Sequence, residues 1–337
     1  MELNRFIGGI LISCMVLSTS SCEKVDQPLS LPEKSGSEYM VIQMGEDYKD
    51  QLFFDLETKS VVYTSPTSSW DLAFETGVSD YHIFMNGGGT GVFVYNTHQT
   101  DMTKVLDAPK IKDNEWQFDQ ACGTNDSTGI GEWQSGGLSK SEVYIVKLDP
   151  TFYPDTFRKM QIVKVSAEGY LLHYAGLRDV ANKTIFIPKN NNYNYTYFSF
   201  SENGRIVNAE PPKNTWDIVF TRYRIVYHYL HNYTYPVTGV LTNPYNTIAA
   251  KDSLKSYEAI DAQRLLKLKF TNHRDVIGYN WKQFTLDPQQ GTSQYTVNKN
   301  MIYIVKNRRG YYYKLRFLDF YHQGVKGYPT FEYERIN

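Results

Sequence analysis

The sequence contains only three cysteines among 337 residues. Cys14 lies within an apolar N-terminal stretch and Cys22 comes shortly after it, which leaves Cys122 alone in the part that we expect to fold. One cysteine cannot form an internal disulfide, and no Cys-x-x-C pair is present. These absences exclude a disulfide framework, a cysteine-based zinc site and a thioredoxin-like redox motif.

Neither sign of charge is in excess, because 35 Lys and Arg oppose 36 Asp and Glu. A net charge of −1 gives no electrostatic basis for binding nucleic acid. The apolar share of 41% and the charged share of 21% are those of an ordinary folded chain, which argues against intrinsic disorder and fibrous repeats. The length predicts two domains of roughly 150 residues each.

Long hydrophobic runs are also lacking. The apolar stretch at residues 6–17 is shorter than the roughly 20 residues that cross a bilayer, and small residues occupy 18–21. This pattern predicts a signal peptide over residues 1–21. The small residues before Cys22 favour lipidation of that thiol, and the alternative is cleavage nearby by an ordinary peptidase. The polar, proline-containing residues 22–38 predict a tether.

Catalytic motifs are absent as well. The sequence has no G-x-S-x-G, H-E-x-x-H or EF-hand loop. The glycine run at residues 86–91 has the wrong spacing for a nucleotide fingerprint, and the strand-like residues 92–95 come after it where a helix would be needed. It therefore predicts a turn. Because no acid–base pair or nucleophile can be identified, we expect a protein that is not an enzyme.

Aromatic residues are abundant: 28 Tyr, 18 Phe and 5 Trp. The sequence also contains an internal duplication. WDLAF at residues 70–74 recurs as WDIVF at 216–220, and VYIVK at 143–147 recurs as IYIVK at 302–306. The duplication predicts a first domain over residues 39–183 and a second over 184–337.

Each copy has the pattern of strands. Residues 312–317 alternate between polar and apolar side chains, as in a sheet with one wet and one packed face. The sequence therefore predicts an all-β fold with two similar antiparallel domains. At even spacing, the tryptophan and phenylalanine of each pentapeptide would share an inward face and form core. Asp71 and Asp217 would then face the other way and accept backbone amides.

Histidine and methionine are the candidate metal ligands. His82 and His228 occupy equivalent places in the two copies, as do Met85 and His231. Such side chains suit haem iron, zinc or copper. In a straight strand, residues 228 and 231 point to opposite faces, so both could bind one metal only through a turn or bulge. The alternative is that these residues are ordinary surface or core residues.

Four segments together carry a resemblance to a known family: the two pentapeptides, YYKLRF at 312–317 and GYPTFEY at 327–333. They resemble the HmuY family of haem-binding lipoproteins. The resemblance implies an all-β protein, lipid-anchored at the outer membrane on its surface or periplasmic face. It also implies capture of haem from host haemoproteins and transfer to a TonB-dependent outer-membrane receptor.

In that family, two axial His or Met side chains hold the haem iron from loops after the Trp-Asp strand. The resemblance therefore implies ligands among His82, Met85, His98, Met102, His228 and His231. Should haem bind, basic residues are candidates to pair with its propionates, namely Arg222, Arg224 and Lys104. The alternative function is a surface lipoprotein that binds a glycan or a protein partner through Tyr- and Trp-rich faces, without haem.

Overall fold

The computed structural model describes residues 36–254, 256–287, 289 and 292–336. The predicted signal peptide (1–21), Cys22 and most of the predicted tether lie outside these residues. The end of the tether is described and belongs to the folded part, since Ser37 is buried and the first strand begins at Glu38.

Regular structure in the described residues is nearly all β. The strands of the first half of the chain are β1 (Glu38–Val41), β2 (Asp50–Asp55), β3 (Ser60–Pro66), β4 (Leu72–Glu75), β5 (Ile83–Met85), β6 (Phe93–Asn96), β7 (Gln134–Ser135), β8 (Leu138–Ser139), β9 (Val143–Lys147), β10 (Phe157–Val165) and β11 (Gly169–Gly176). Those of the second half are β12 (Lys183–Pro188), β13 (Tyr195–Ser199), β14 (Arg205–Val207), β15 (Ile218–Tyr227), β16 (Tyr233–Thr242), β17 (Ile248–Asp252), β18 (Lys282–Asp287), β19 (Thr292–Val297), β20 (Ile302–Lys306), β21 (Tyr312–His322) and β22 (Val325–Ile336).

Helical structure is limited to short turns. The α-helix α1 is Ala262–Leu265, and 3₁₀ turns lie at Met102–Lys104, Asp113–Glu115, Asn125–Ser127, Ser201–Asn203, His228–Leu230 and Tyr257–Ala259.

The strands form four main antiparallel sheets. Two have five strands, in the orders β12-β11-β10-β9-β6 and β1-β22-β21-β20-β17. Two have four strands, in the orders β14-β13-β4-β5 and β16-β15-β2-β3. The pairs β7-β8 and β18-β19 are separate hairpins. Because each kind of sheet occurs twice with corresponding strands, the predicted all-β fold with two similar antiparallel domains is confirmed.

The two copies exchange their first strands. β2, from the first copy, pairs with β15 of the second, with Phe54 opposite Ile218. β13, from the second copy, pairs with β4 of the first, with Tyr197 opposite Ala73. We name β4–β14 domain I, and β1–β3 with β15–β22 domain II. The predicted boundary at 183/184 divides the two sequence copies. The structural domains are divided differently, because the chain enters domain I after β3 and returns to domain II after β14.

Each domain has its own apolar core. In domain I, Phe74, Tyr170 and Phe198 belong to one cluster of buried side chains. In domain II, Phe54 from the exchanged strand β2 packs with Phe220 and Phe331 in a second cluster. The exchanged strands therefore carry core side chains, and domain II is incomplete without the first segment of the chain.

The expectation that tryptophan and phenylalanine share one face of the Trp-Asp strand is wrong. Trp216 packs with Val219 and Tyr223, whereas Phe220 lies in the main core of domain II. The reason is that β15 begins after Asp217, which occupies a bend, so the tryptophan precedes the strand and does not obey its alternation. The equivalent tryptophan of domain I also precedes its strand.

The expectation for the two aspartates is confirmed. Asp71 Oδ2 accepts the backbone N–H of Phe200 at 2.7 Å, and Asp217 Oδ2 accepts that of Leu56 at 3.0 Å. Each acceptor thus binds the chain just beyond the exchanged strand that pairs with its own strand. Burial raises the pKa of Asp71, while these hydrogen bonds to its charged form oppose the shift.

A tyrosine-rich cleft as the candidate functional site

A large concave surface among the described residues is a cleft in domain II with a volume of about 920 Å³. The hairpins β15-β16 and β18-β19 both contribute to it. Its aromatic lining consists of Tyr48, Tyr227, Tyr229, Tyr233, Tyr235, Tyr279, Phe284 and Tyr295. A cleft of this size, lined by aromatic rings and a few polar groups, is typical of a small-molecule site.

The β15-β16 hairpin forms one wall because its strands extend well beyond the sheet that they start from. They pair from Ile218–Thr242 out to Tyr227–Tyr233, although β2 covers only the first residues of β15. The distal part carries exposed rings: Tyr229 is 78% exposed and Tyr233 56%. The rings of Tyr227 and Tyr229 lie 5.5 Å apart. Exposed aromatic surface on this scale indicates a binding surface rather than core.

The β18-β19 hairpin supplies another part of the wall. Phe284 faces Tyr295 across the two strands, with ring centroids 5.3 Å apart. Tyr295 in turn packs edge-on against the buried Phe320 at 5.1 Å, which anchors this hairpin to the core of domain II. Phe284 remains 54% exposed.

Two cations, Lys282 and Arg222, line the cleft. Lys282 is only 7% exposed, and its Nζ donates to the carbonyl oxygen of Thr238 at 2.5 Å. The same Nζ lies 4.3 Å from the ring of Trp281 and 4.9 Å from that of Phe320. Burial lowers the pKa of Lys282 to about 7. Arg222, which also lines the cleft, stands opposite Thr238 in the hairpin.

His228 and His231 lie together at the tip of the β15-β16 hairpin. A 3₁₀ turn spans His228–Leu230, and His231 adopts a left-handed conformation with φ of 54°. Both residues are exposed, and His228 Nδ1 lies 2.9 Å from Asn232 Oδ1. Two residues of one strand could bind the same metal only through a turn, and the structure has such a turn between His228 and His231. The neighbouring residues Tyr227, Tyr229 and Leu230 line the cleft.

His82 and Met85 lie in domain I and do not line this cleft. His82 is 8% exposed, and its Nδ1 lies 2.9 Å from Glu75 Oε2. Met85 is a core residue of domain I and lines a smaller cavity of about 110 Å³ between the domains. The structure therefore separates these two candidates from the hairpin histidines.

The remaining candidates also lie in other surroundings. His98 is exposed and contacts Glu142 at 2.9 Å, and Met102 is buried in a side cluster of domain I. Lys104 lies near Asp101 at 3.8 Å. Arg224 is engaged, because its Nε donates to the carbonyl of Gly87 at 3.1 Å.

The glycine run at 86–91 is the expected turn, located between β5 and β6. It packs against β15, and a Cβ added to Gly88 would lie 2.4 Å from the Arg222 carbonyl carbon. Glycine here permits close approach of two backbones.

Three further observations limit the chemistry of the described residues. Within them, no group of three or more His, Cys, Asp or Glu is placed to hold a metal ion. None of the helices that the structure describes is long and apolar enough to cross a membrane. Cys122 is a free thiol.

Lys282 is the cleft residue that sequence reasoning missed. No local motif marks it, because its surroundings include Thr238 and Phe320, which lie far from it along the chain.

Comparison with known protein families identifies the family of this chain. The profile described as HmuY protein matches residues 47–152 and 191–333, which together are most of the chain. The chain belongs to the HmuY family. The two matched regions fall in the two halves of the chain, so the HmuY unit is duplicated, as expected from the repeated pentapeptides.

Comparison with solved structures found similarities at low sequence identity. Apo PinO from Porphyromonas gingivitis is 12% identical, with a TM-score of 0.34, over 90% of this chain and 99% of that one. The apo HmuY analog of Tannerella forsythia is 10% identical, with a TM-score of 0.24, over 89% and 96%. A candidate HmuY-like heme-binding protein of Bacteroides vulgatus is 13% identical, with a TM-score of 0.23, over 90% and 93%. No curated protein matches the sequence. Because these TM-scores are below 0.5, family membership rests on the sequence match.

Proposed function

We propose that this protein is an extracytoplasmic, lipid-anchored haem-binding protein that binds haem in the tyrosine-rich cleft of domain II. It would capture haem from host haemoproteins and hand it to an outer-membrane uptake system such as a TonB-dependent receptor. The observation that carries the proposal is the 920 Å³ aromatic cleft, to which the hairpin with two exposed histidines at its tip contributes lining residues.

The lining suits a flat, apolar ring system. Tyr and Phe rings can cover the two faces of a porphyrin, and the volume falls within the usual range of roughly 300–1,000 Å³ for ligand pockets. Neutral imidazole is an ordinary axial ligand of haem iron. We place the iron ligands at His228 and His231, acting together or one of them with a partner from elsewhere. Both are exposed at the hairpin tip, and although they are not lining residues of the cleft, their neighbours Tyr227, Tyr229 and Leu230 are.

His82 and Met85 are the alternative ligands. They fit less well, because the His82 ring already contacts Glu75 and the Met85 side chain lies in the core of domain I. Using either of them would require these contacts to be broken.

Carriage fits this arrangement better than catalysis. Haem held by two side-chain ligands, such as His228 and His231, would be suited to storage and transfer rather than to oxygen chemistry. The HmuY family is a binding and transport family. The lipid anchor would be Cys22, and it would be the only membrane contact that the proposal needs.

A second candidate function is binding of a glycan or a protein partner through the same exposed rings. The observation that favours it is the exposure of Tyr229, Tyr233 and Tyr235 on the hairpin. Stacking on sugar or protein surfaces needs aromatic faces and no metal ligand. Under this function, the hairpin histidines would be dispensable.

Haemin titration of the chain from Glu23 to Asn337, monitored by absorption in the Soret and visible bands, tests the first proposal. We expect saturable binding with a sharp low-spin spectrum. That spectrum should weaken in His228→Ala and His231→Ala, with affinity reduced on the order of tenfold or more in the double variant.

His98→Ala is the matched control. His98 is also exposed and left-handed, with φ of 55°, but it lies in domain I. It should leave the spectrum unchanged. Loss of the spectrum in His82→Ala or Met85→Ala, with the hairpin variants unaffected, would move the ligands to domain I. A haemin spectrum unaltered by the protein would refute haem binding and leave the glycan or partner function for direct screens.

A further inference from the structure

We propose that Lys282 and Arg222 form a carboxylate-binding subsite in the cleft. The cleft would then select flat aromatic ligands that carry an anionic carboxylate over neutral ones of the same shape. The inference deepens the proposed function, since it rests on the cleft being a ligand site and names the group that the site recognises.

Lys282 has an incomplete set of hydrogen-bond partners. An ammonium can donate three hydrogen bonds, and the structure gives Nζ one, to the Thr238 carbonyl at 2.5 Å. No ion pair joins Lys282 to a carboxylate of the described residues. Its other neighbours are the rings of Trp281, Phe320 and Tyr295, which attract a cation weakly.

Two other buried lysines, Lys159 and Lys314, show which hydrogen-bond partners a buried ammonium has elsewhere in this fold. Lys159 Nζ donates to two carbonyls, those of Met102 at 2.8 Å and Val105 at 2.9 Å. Lys314 Nζ also reaches two carbonyls and forms an ion pair with Glu334 Oε2 at 3.3 Å. Neither Lys159 nor Lys314 lines the cleft. Lys282 does, and it has fewer oxygen partners, so the missing partner is expected from a ligand.

Arg222 is the second cation that lines the cleft. It is opposite Thr238 in the β15-β16 pair, and Lys282 bonds to the carbonyl of that same Thr238. Thr238 thus pairs with Arg222 through the backbone and accepts a hydrogen bond from Lys282, and both cations line the cleft. The structure shows no hydrogen bond or ion pair from the Arg222 guanidinium to the described residues. Asp47 also lines the cleft, so one acidic side chain opposes the two cations.

A carboxylate matches these two cations. It has two acceptor oxygens, and it could accept from the ammonium and from the planar guanidinium together. Such pairs are strong where water is excluded, and the nearby rings would hold an aromatic body against the walls. The propionates of a porphyrin fit this description.

The test uses metal-free protoporphyrin IX and its dimethyl ester, titrated into the chain from Glu23 to Asn337 and monitored by porphyrin fluorescence. We expect the acid to bind at least tenfold more tightly than the ester. Lys282→Met and, separately, Arg222→Met should each remove most of this preference by weakening acid binding while ester binding is kept.

Lys306→Met is the matched control, since Lys306 also lies over a tyrosine ring, Tyr312 at 5.5 Å, but not in the cleft. It should keep the full preference. Circular dichroism verifies that each variant is folded, and the two cleft variants keep the inference testable if one of them does not fold. Equal affinity of the wild type for acid and ester would overturn the inference, as would an unchanged preference in both folded cleft variants.

The porphyrin without iron separates this inference from the proposed function. If haemin gives no low-spin spectrum while the acid is preferred over the ester, haem ligation by the histidines fails and the carboxylate subsite stands. If haemin gives that spectrum and the acid has no advantage, only the subsite fails. If neither porphyrin binds, the subsite is refuted.

Discussion

Domains I and II share a plan, and they differ in the hairpin that contains the Trp-Asp strand. In domain I its two strands are short, Leu72–Glu75 and Ile83–Met85. In domain II the corresponding hairpin has Ile218–Tyr227 and Tyr233–Thr242, and it projects beyond the sheet. Among the described strands, β18-β19 precedes the IYIVK strand of domain II, whereas domain I has short turns and β7-β8 at that place. The duplicated core has thus been kept in both domains, while extended hairpins form the cleft in only one of them.

The parts kept in both domains are those that hold the exchanged strands and the loops. Lys159 and Lys314 each donate to two loop carbonyls. Asp71 and Asp217 each accept an amide from the exchanged segment. The two aspartates nevertheless have different side-chain partners. Asp71 accepts a hydrogen bond from the hydroxyl of Tyr153 at 2.6 Å, whereas Asp217 accepts one from Arg308 Nη1 at 2.6 Å.

The largest effect that we expect is on the free energy of unfolding, and it tests the role of the arginine that pairs with Asp217. Arg308 is a 4% exposed side chain that also pairs with Asp55 of the exchanged strand at 3.2 Å. Arg308→Met would leave two buried carboxylates without their cation, and we expect a loss of about 3–5 kcal/mol in the free energy of unfolding. Urea unfolding measures it.

The neighbouring Arg309 is the control for this measurement. It pairs with Glu57 at 3.0 Å but is 60% exposed, so Arg309→Met should cost less than about 1 kcal/mol. Equal losses in the two variants would mean that the buried pair has no special role in holding the exchanged strand.

The next effect separates the cleft from the core. Replacing residues 228–232 with Asn-Gly would close the hairpin directly after the Tyr227–Tyr233 pair, in a tight turn that suits two strands. Haemin affinity should fall on the order of 100-fold, or about 2.7 kcal/mol. The melting temperature should change little, because the removed residues are exposed. Retention of a full low-spin haemin spectrum would show that the hairpin tip does not supply the ligands.

A third effect comes from the pH dependence of stability. Below pH 7, Lys282 is charged in both the folded and unfolded states, so folding carries the full cost of burying the charge. Between pH 7 and the unfolded pKa of about 10.4, the unfolded chain binds the extra proton, so this cost declines. The stability of the wild type should therefore rise relative to Lys282→Met, by no more than about 1.4 kcal/mol per pH unit.

Urea unfolding of both proteins at pH 7 and pH 9 measures this change. Around Lys282, Trp281 and Phe320 are neutral, and Asp47 and Arg222 are the other charged residues of the cleft lining. Burial raises the pKa values of Tyr48 and Tyr295, so they stay protonated. A constant difference between the two proteins would show that Lys282 is charged throughout.

The sequence alone predicts the β class and the duplication, because these depend on local alternation and on the repeated pentapeptides. The two aspartates accept amides as expected, although the alternation that led to this expectation does not extend to Asp217. It does not predict the strand exchange, since β2 and β13 have similar patterns and either could pair with either Trp-Asp strand. It gives the wrong packing direction for Trp216 because the bend at Asp217 interrupts the alternation. It does not single out Lys282, because the surroundings of that side chain come from β16, β19 and β21, which no spacing along the chain connects.

The smallest effect concerns a single exposed ring. Tyr229→Ser removes a side chain that is 78% exposed, so the free energy of unfolding should change by less than about 0.5 kcal/mol. Haemin affinity should fall several-fold, because stacking of one aromatic ring is worth about 0.5–1.5 kcal/mol. Phe186→Ser is the counterpart in domain I, where the ring is 50% exposed on β12 and outside the cleft. If both variants lower the affinity equally, the exposed rings of domain II have no privileged role, and the contrast between the domains would lie in the hairpin tip alone.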